Sequence, residues 1–133
     1  MSDFIPMPDN FNDIKEPAPV ADGFYALRVV SAKLKENKTK NGEVMFRIDI
    51  ENTDNPDCPT IFHNLIMPNQ DTKPFTALMM KRFCLAFDVN PSEIDPAGSC
   101  FQGAETNCKL KYVAKDEEGG YPAKNELVLP ELG

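Results

Sequence analysis

Residues 43–50 alternate without a break: Val44, Phe46, Ile48 and Ile50 fall on one face, Met45, Arg47 and Asp49 on the other. A period of two means a strand with one side buried and one side wet, so the chain must build a sheet with a core on one face. Four further segments carry strand signals. Residues 24–34 are rich in strand formers, with Tyr25, Leu27 and Val29 in one phase and Val30, Ala32 and Leu34 in the other. A change of face in mid-strand predicts a bulge, the device by which a long strand bends round a small barrel. A polar loop over 35–42 ends in the turn dipeptide Asn41-Gly42. Residues 60–67 form a third strand that Pro68 ends, 104–113 a fourth, and 121–129 a fifth beyond the tip 116–120, with Pro122 implying an irregular start.

One segment has a different period. Phe75, Leu78, Met79, Arg82, Phe83 and Ala86 recur at helical spacing, with Asp71 or Thr72 as the cap and Pro74 in the first turn. Five of those six are apolar, so this helix is expected to plug a core. Three strands, one helix and two strands match the five-stranded antiparallel Greek-key barrel known as the OB-fold, with the helix between strands 3 and 4. The competing arrangement is an open α+β sheet with the helix packed on one side. Residues 1–21, with Pro6, Pro8, Pro17 and Pro19, read as an acidic arm, and 22–133 as the barrel domain.

At 133 residues this is one domain, too small for a multidomain enzyme. No apolar run approaches the ~20 residues of a membrane-spanning helix. The first residues are acidic and proline-broken rather than basic and then apolar, so a cytoplasmic location is expected, that of the host if the protein is viral. Cys58, Cys84, Cys100 and Cys108 include no Cys-x-x-Cys pair and have a single histidine, His63, to join them. Neither a metal site nor a cofactor is expected, and without an export signal disulfides are not either.

The formal charge is −7, which argues at first against a polyanion as ligand. The segments disagree with the sum. Residues 23–47 hold six bases and two acids, and 109–115 hold Lys109, Lys111 and Lys115 with no acid, whereas 48–72 hold five acids and no base. In a barrel of this topology the first strand pairs with the second and the fourth. Arg28, Lys33, Lys35, Arg47, Lys109 and Lys111 would then lie on adjoining strands and contact phosphates. Single strands also need rings on which bases stack. Phe24, Phe62, Tyr112 and Tyr121 lie on or beside strands; Phe62 and His63 are adjacent and must present opposite faces, so one of the two points outward. The phenols of Tyr112 and Tyr121 tolerate water, while Phe46, Phe75, Phe83 and Phe87 are assigned to the core. For His63 a hydrogen-bonded structural role comes first and stacking or phosphate contact second.

No nucleophile has a recognisable base motif, and no glycine-rich phosphate loop occurs. Asp49, Glu51, Asp54 and Asp57 could be imagined around magnesium, but carboxylates beside a proline-broken turn are ordinarily turn formers. No enzymatic activity is expected.

The chain resembles the small OB-fold single-stranded-DNA-binding proteins of bacteriophages and related mobile elements. The resemblance lies in Gly23-Phe24-Tyr25 leading to Val29-Val30-Ser31-Ala32-Lys33, in residues 42–50, in the 60–68 strand, in Lys81-Arg82-Phe83, and in Asn125-Glu126-Leu127. It implies a sequence-tolerant binder of single-stranded DNA, or of RNA, that works without catalysis beside replication or recombination proteins. One departure is the short apolar ending Leu127-Val128-Leu129-Pro130-Glu131-Leu132-Gly133, where many such proteins carry an acidic tail for recruiting partners. Exposed strand edges leave a homodimer open. The rival from another class is an acidic protein-binding or inhibitor module that docks on a host or viral protein.

Overall fold

The computed structural model describes residues 4–14, 18–35, 38–40 and 42–132. Among the described residues there are five strands, β1 (Gly23–Leu34), β2 (Met45–Asn52), β3 (Ile61–Ile66), β4 (Glu105–Val113) and β5 (Lys124–Val128), one α-helix, α1 (Pro74–Ala86), between β3 and β4, and two short 3-10 helices, Phe11–Asp13 and Pro91–Glu93. The strands are antiparallel in the order β3-β2-β1-β4-β5. β3 and β5 approach one another at the two ends of this order, so the sheet is a nearly closed, OB-like barrel.

The twelve residues of β1 serve two partners. Residues 23–28 pair with β4 and residues 27–34 with β2. The predicted bulge sits where these halves meet: Val29 faces Ile50 and Ser31 faces Asp49, leaving Val30 without a partner on β2. The extra residue changes the inward set from Leu27 and Val29 to Ala32. It also bends the strand so that one segment serves both sides of the barrel.

The interior is filled by Leu27, Val29, Phe46, Ile48, Ile50, Ile61, Leu65 and Leu110 from the strands and by Phe83 and Phe87 from the helix. Phe83 is the hub. Its ring stacks on Phe87 at 4.5 Å and meets Phe101 edge-on at 5.9 Å, and Phe101 in turn contacts Phe46 at 5.4 Å. Gly98, at φ +67, brings the loop before Phe101 close: a Cβ there would lie 3.1 Å from that of Ala32.

The helix departs from its predicted stripe. It buries Met80, Phe83 and Cys84, whereas Phe75, assigned to the core, is 69% exposed. The buried set Met80, Phe83, Cys84 and Phe87 keeps the helical spacing but lies about one position beyond the predicted Met79, Arg82, Phe83 and Ala86, so the face turned to the barrel is rotated from the one that period alone suggested. Neither expected cap holds the helix. Lys73 occupies the cap position without a side-chain hydrogen bond, and Thr72 instead donates to the buried Glu43 carboxylate just before β2. Asn41 of the turn dipeptide lies outside the described residues; Gly42 adopts φ +78 and its N–H donates to the Thr39 carbonyl at 2.9 Å.

The packed body begins earlier than residue 22. Val20 is buried, its N–H donating to Asn125 Oδ1 at 2.9 Å and its carbonyl accepting from Asn125 Nδ2 at 2.8 Å. Ala18 donates to the Asp57 carbonyl, and Asp22 accepts from the Tyr112 N–H at 2.7 Å. Asn125 therefore ties residues 18–22 to β5 through one buried amide that meets both backbone groups of Val20. Replacing Asn125 by Ala would strand both groups, at roughly 1 to 3 kcal/mol for a buried unpaired polar group. We expect a lower midpoint in urea at unchanged slope and faster hydrogen exchange at the Val20 amide; an unaltered midpoint would rule out this tie.

Candidate nucleic-acid interface

The wet face of the strands is set by the register. Lys33 of β1 lies opposite Arg47 of β2, and Arg47 lies opposite Asn64 of β3. One step along, Ser31, Asp49 and Phe62 form the next row. Phe62 is 56% exposed, with the Arg47 guanidinium carbon 4.2 Å from its ring centroid. Arg47 also contacts Asp49 through Nε at 3.1 Å. An exposed pair of that kind contributes at most about 1 kcal/mol, so an incoming phosphate can compete for the guanidinium. Lys33 opposite Arg47 is a cross-strand like-charge pair, which disfavours the empty face by a few tenths of a kcal/mol and is relieved by an anion. Lys35 follows directly at the end of β1.

The six predicted bases do not form one group. Lys33, Lys35 and Arg47 gather on the β1–β2–β3 side. Lys109 and Lys111 lie on β4, opposite Phe24 and Glu126 respectively, and Phe24 is 72% exposed. Arg28 stands between these two patches with an acid on either side. It is ion-paired to Glu51 across one ladder and faces Glu105 across the other. The patches part because β1 changes partner at residues 27–29, so its early and late residues look out from different sides of the barrel.

The rings sort in the same way. Between Phe62 and His63 the outward place goes to Phe62. His63 points inward and stacks on Phe83 at 5.5 Å with an interplanar angle of 8°, so it leaves the interface and joins the core. Tyr112 is 43% exposed at the end of β4, and Tyr121 is 68% exposed at the β4–β5 tip, where it pairs with Asp116 through both backbone groups. Both phenols are accessible, yet neither adjoins Phe62. Asn64 is the polar neighbour that sequence reasoning passed over; it is two residues from Phe62 and therefore on the same face, which strand period alone could have revealed.

The acidic residues on and beside this face are engaged by their neighbours. Asp49 accepts from Ser31 and Arg47, Glu51 from Arg28, and Asp54 from the Ala26 N–H at 2.7 Å. Among the described residues no group of three or more His, Cys, Asp or Glu stands together as a metal site, and no helix is long and apolar enough to cross a membrane. The four cysteines are free, and burial pushes each thiol above its ordinary pKa, away from the reactive thiolate.

Burial also holds His63 below the usual imidazole range. In the unfolded chain this ring takes up a proton near pH 6.5, and in the folded barrel only at lower pH. The stability it contributes is therefore complete above about 6.5 and is lost as pH falls from there toward the folded value. His63→Phe keeps the stack on Phe83 without the titration. Chemical denaturation between about pH 7.5 and 5.5 is expected to give a flatter stability profile for the variant. An equally steep fall would place the titrating group elsewhere.

Compared with known protein families and with curated protein sequences, the chain matches none.

Proposed function

We propose that the β1–β2–β3 face binds single-stranded nucleic acid, DNA in the first instance, without regard to sequence and without catalysis. The observation that carries this reading is the exposed Phe62 ring under Arg47, with Lys33 facing Arg47 across the ladder. A strand laid on this face stacks one base on Phe62, while Lys33, Lys35 and Arg47 meet its phosphates. Stacking is indifferent to base identity, and the three cations read only the backbone. Lys109, Lys111 and Phe24 form a second landing place for a longer strand that passes Arg28, and Tyr112 and Tyr121 lie at that far end. Such a binder serves wherever replication or recombination exposes single strands, in a phage or in its host.

Three phosphate contacts predict that log affinity falls with log salt at a slope near −2, and five contacts near −3.5, at about 0.7 per phosphate on a single strand. Titration of labelled oligo-dT distinguishes these values. Absence of binding at low salt would reject the reading. Arg47→Ala is expected to reduce the slope by about 0.7. Phe62→Ala is expected to weaken binding by about 1 to 3 kcal/mol and leave the slope unchanged; if both variants bind as the parent does, the face is wrong. Capture from lysate that survives nuclease treatment would instead favour the acidic protein-docking reading.

A further inference from the structure

β3 is hydrogen-bonded to a neighbouring strand on one side alone. The Met67 N–H donates to the Val44 carbonyl at 2.7 Å and the Lys35 N–H to the Met45 carbonyl at 2.9 Å, so residues 44, 46, 48 and 50 turn their backbone groups to β3 and meet residues 67, 65, 63 and 61. The N–H and C=O groups of Asn64 and Ile66 therefore point away from β2 to the free edge, where none of the described residues meets them. β5 and α1 both approach that edge. Between it and the first turns of α1 lies a cleft of about 190 Å³, lined by His63, Asn64, Ile66, Phe75, Met79 and Met80 among others. The Phe75 ring on its helix side is the one that α1 holds out of the core. No side chain among the described lining residues is charged at neutral pH, since burial keeps His63 unprotonated there.

We propose that this cleft takes one nucleobase from a single strand lying on the β1–β2–β3 face, its ring against Phe75 and its polar edge against the free backbone groups of Asn64 and Ile66. The site rests on the reading of that face as a nucleic-acid interface and adds a second place where a base is held. Asn64 belongs to both, being exposed, on the outward side of β3, and two residues or roughly 7 Å from Phe62. A partner strand added to this edge would need more of it, because only Asn64 and Ile66 turn free backbone groups into the cleft, against the five or six residues of an ordinary strand. A phosphate or an acidic peptide finds no cation in the lining, and Asp71 and Lys73 before the helix cancel in charge. A base is flat and uncharged, and each of the four carries a donor beside an acceptor on its pairing edge. The N–H and C=O of one strand residue meet any of these, so the cleft holds a base without choosing among them, in keeping with a binder indifferent to sequence.

The parent chain, Phe75→Ala and Phe75→Trp are each titrated at low salt with labelled oligo-dT and with a deoxyribose-phosphate polymer of the same length that lacks bases. Phe75 is exposed, so both variants are expected to keep the parent's midpoint in urea. Phe75→Ala is expected to bind oligo-dT about fivefold to 150-fold more weakly than the parent at unchanged salt slope, the loss of one stacked base, and to bind the baseless polymer as the parent does. Phe75→Trp is expected to retain the parent's affinity for both. In the parent, the amide N–H resonances of Asn64 and Ile66 are expected to shift with oligo-dT and not with the baseless polymer. Phe75→Ala equal to the parent on oligo-dT, an equal loss on both polymers, or amides that do not move would each overturn the cleft. If Phe62→Ala weakens binding while Phe75→Ala does not, the face stands and the cleft alone falls; a parent that ignores oligo-dT removes both.

Discussion

The molecule depends on β1 pairing with two different strands along one continuous length. A straight twelve-residue strand would hold both neighbours in one open sheet. The unpaired Val30 lets the strand turn, so that β2 and β3 go one way, β4 and β5 the other, and the outer two nearly meet. The core follows from that closure. Leu27 and Val29 before the bulge and Ala32 after it face the same interior, over which Phe83 and Phe87 of the helix settle.

The same turn divides the surface. Without the bulge Arg28 and Lys33, five positions apart, would point to opposite faces; the extra residue puts both outside but on different sides of the barrel. The late part of β1 offers Lys33 with Arg47 and Phe62, and the early part offers Phe24 beside Lys109. Arg28 falls at the handover, held by Glu51 and faced by Glu105. A net negative charge is thus compatible with a local cationic face, because the acids of β2 are absorbed by hydrogen bonds and ion pairs with their neighbours while Lys33 stands outside them.

The strands were readable because a half-buried strand writes its two faces into alternate residues, and even the bulge left its mark as the phase change from Val29 to Ala32. The helix was readable as an element but not in its rotation, since Phe75, Met79 and Phe83 keep helical spacing as well as the buried Met80, Phe83, Cys84 and Phe87 do, and only the barrel beneath chooses between the two faces. Phe101 carried no signal at all. It sits in a loop without period, and only Gly98 and the packing on Phe46 draw it into the interior. At the candidate site, adjacency required Phe62 and His63 to part company; which went outward depended on the register with Ile48 and Asp49.

By itself the sequence determined the number and order of the strands, the place of the helix between the third and fourth, and the bulge in the first, because these are local matters of period and turn chemistry. Tertiary structure alone decided which cations meet. Charge carries no period, and two lysines become neighbours only through the register and curvature of strands far apart in the chain. The separation of Lys33 and Arg47 from Lys109 and Lys111, and the tie between Asn125 and Val20 across 105 positions, follow from closing the barrel.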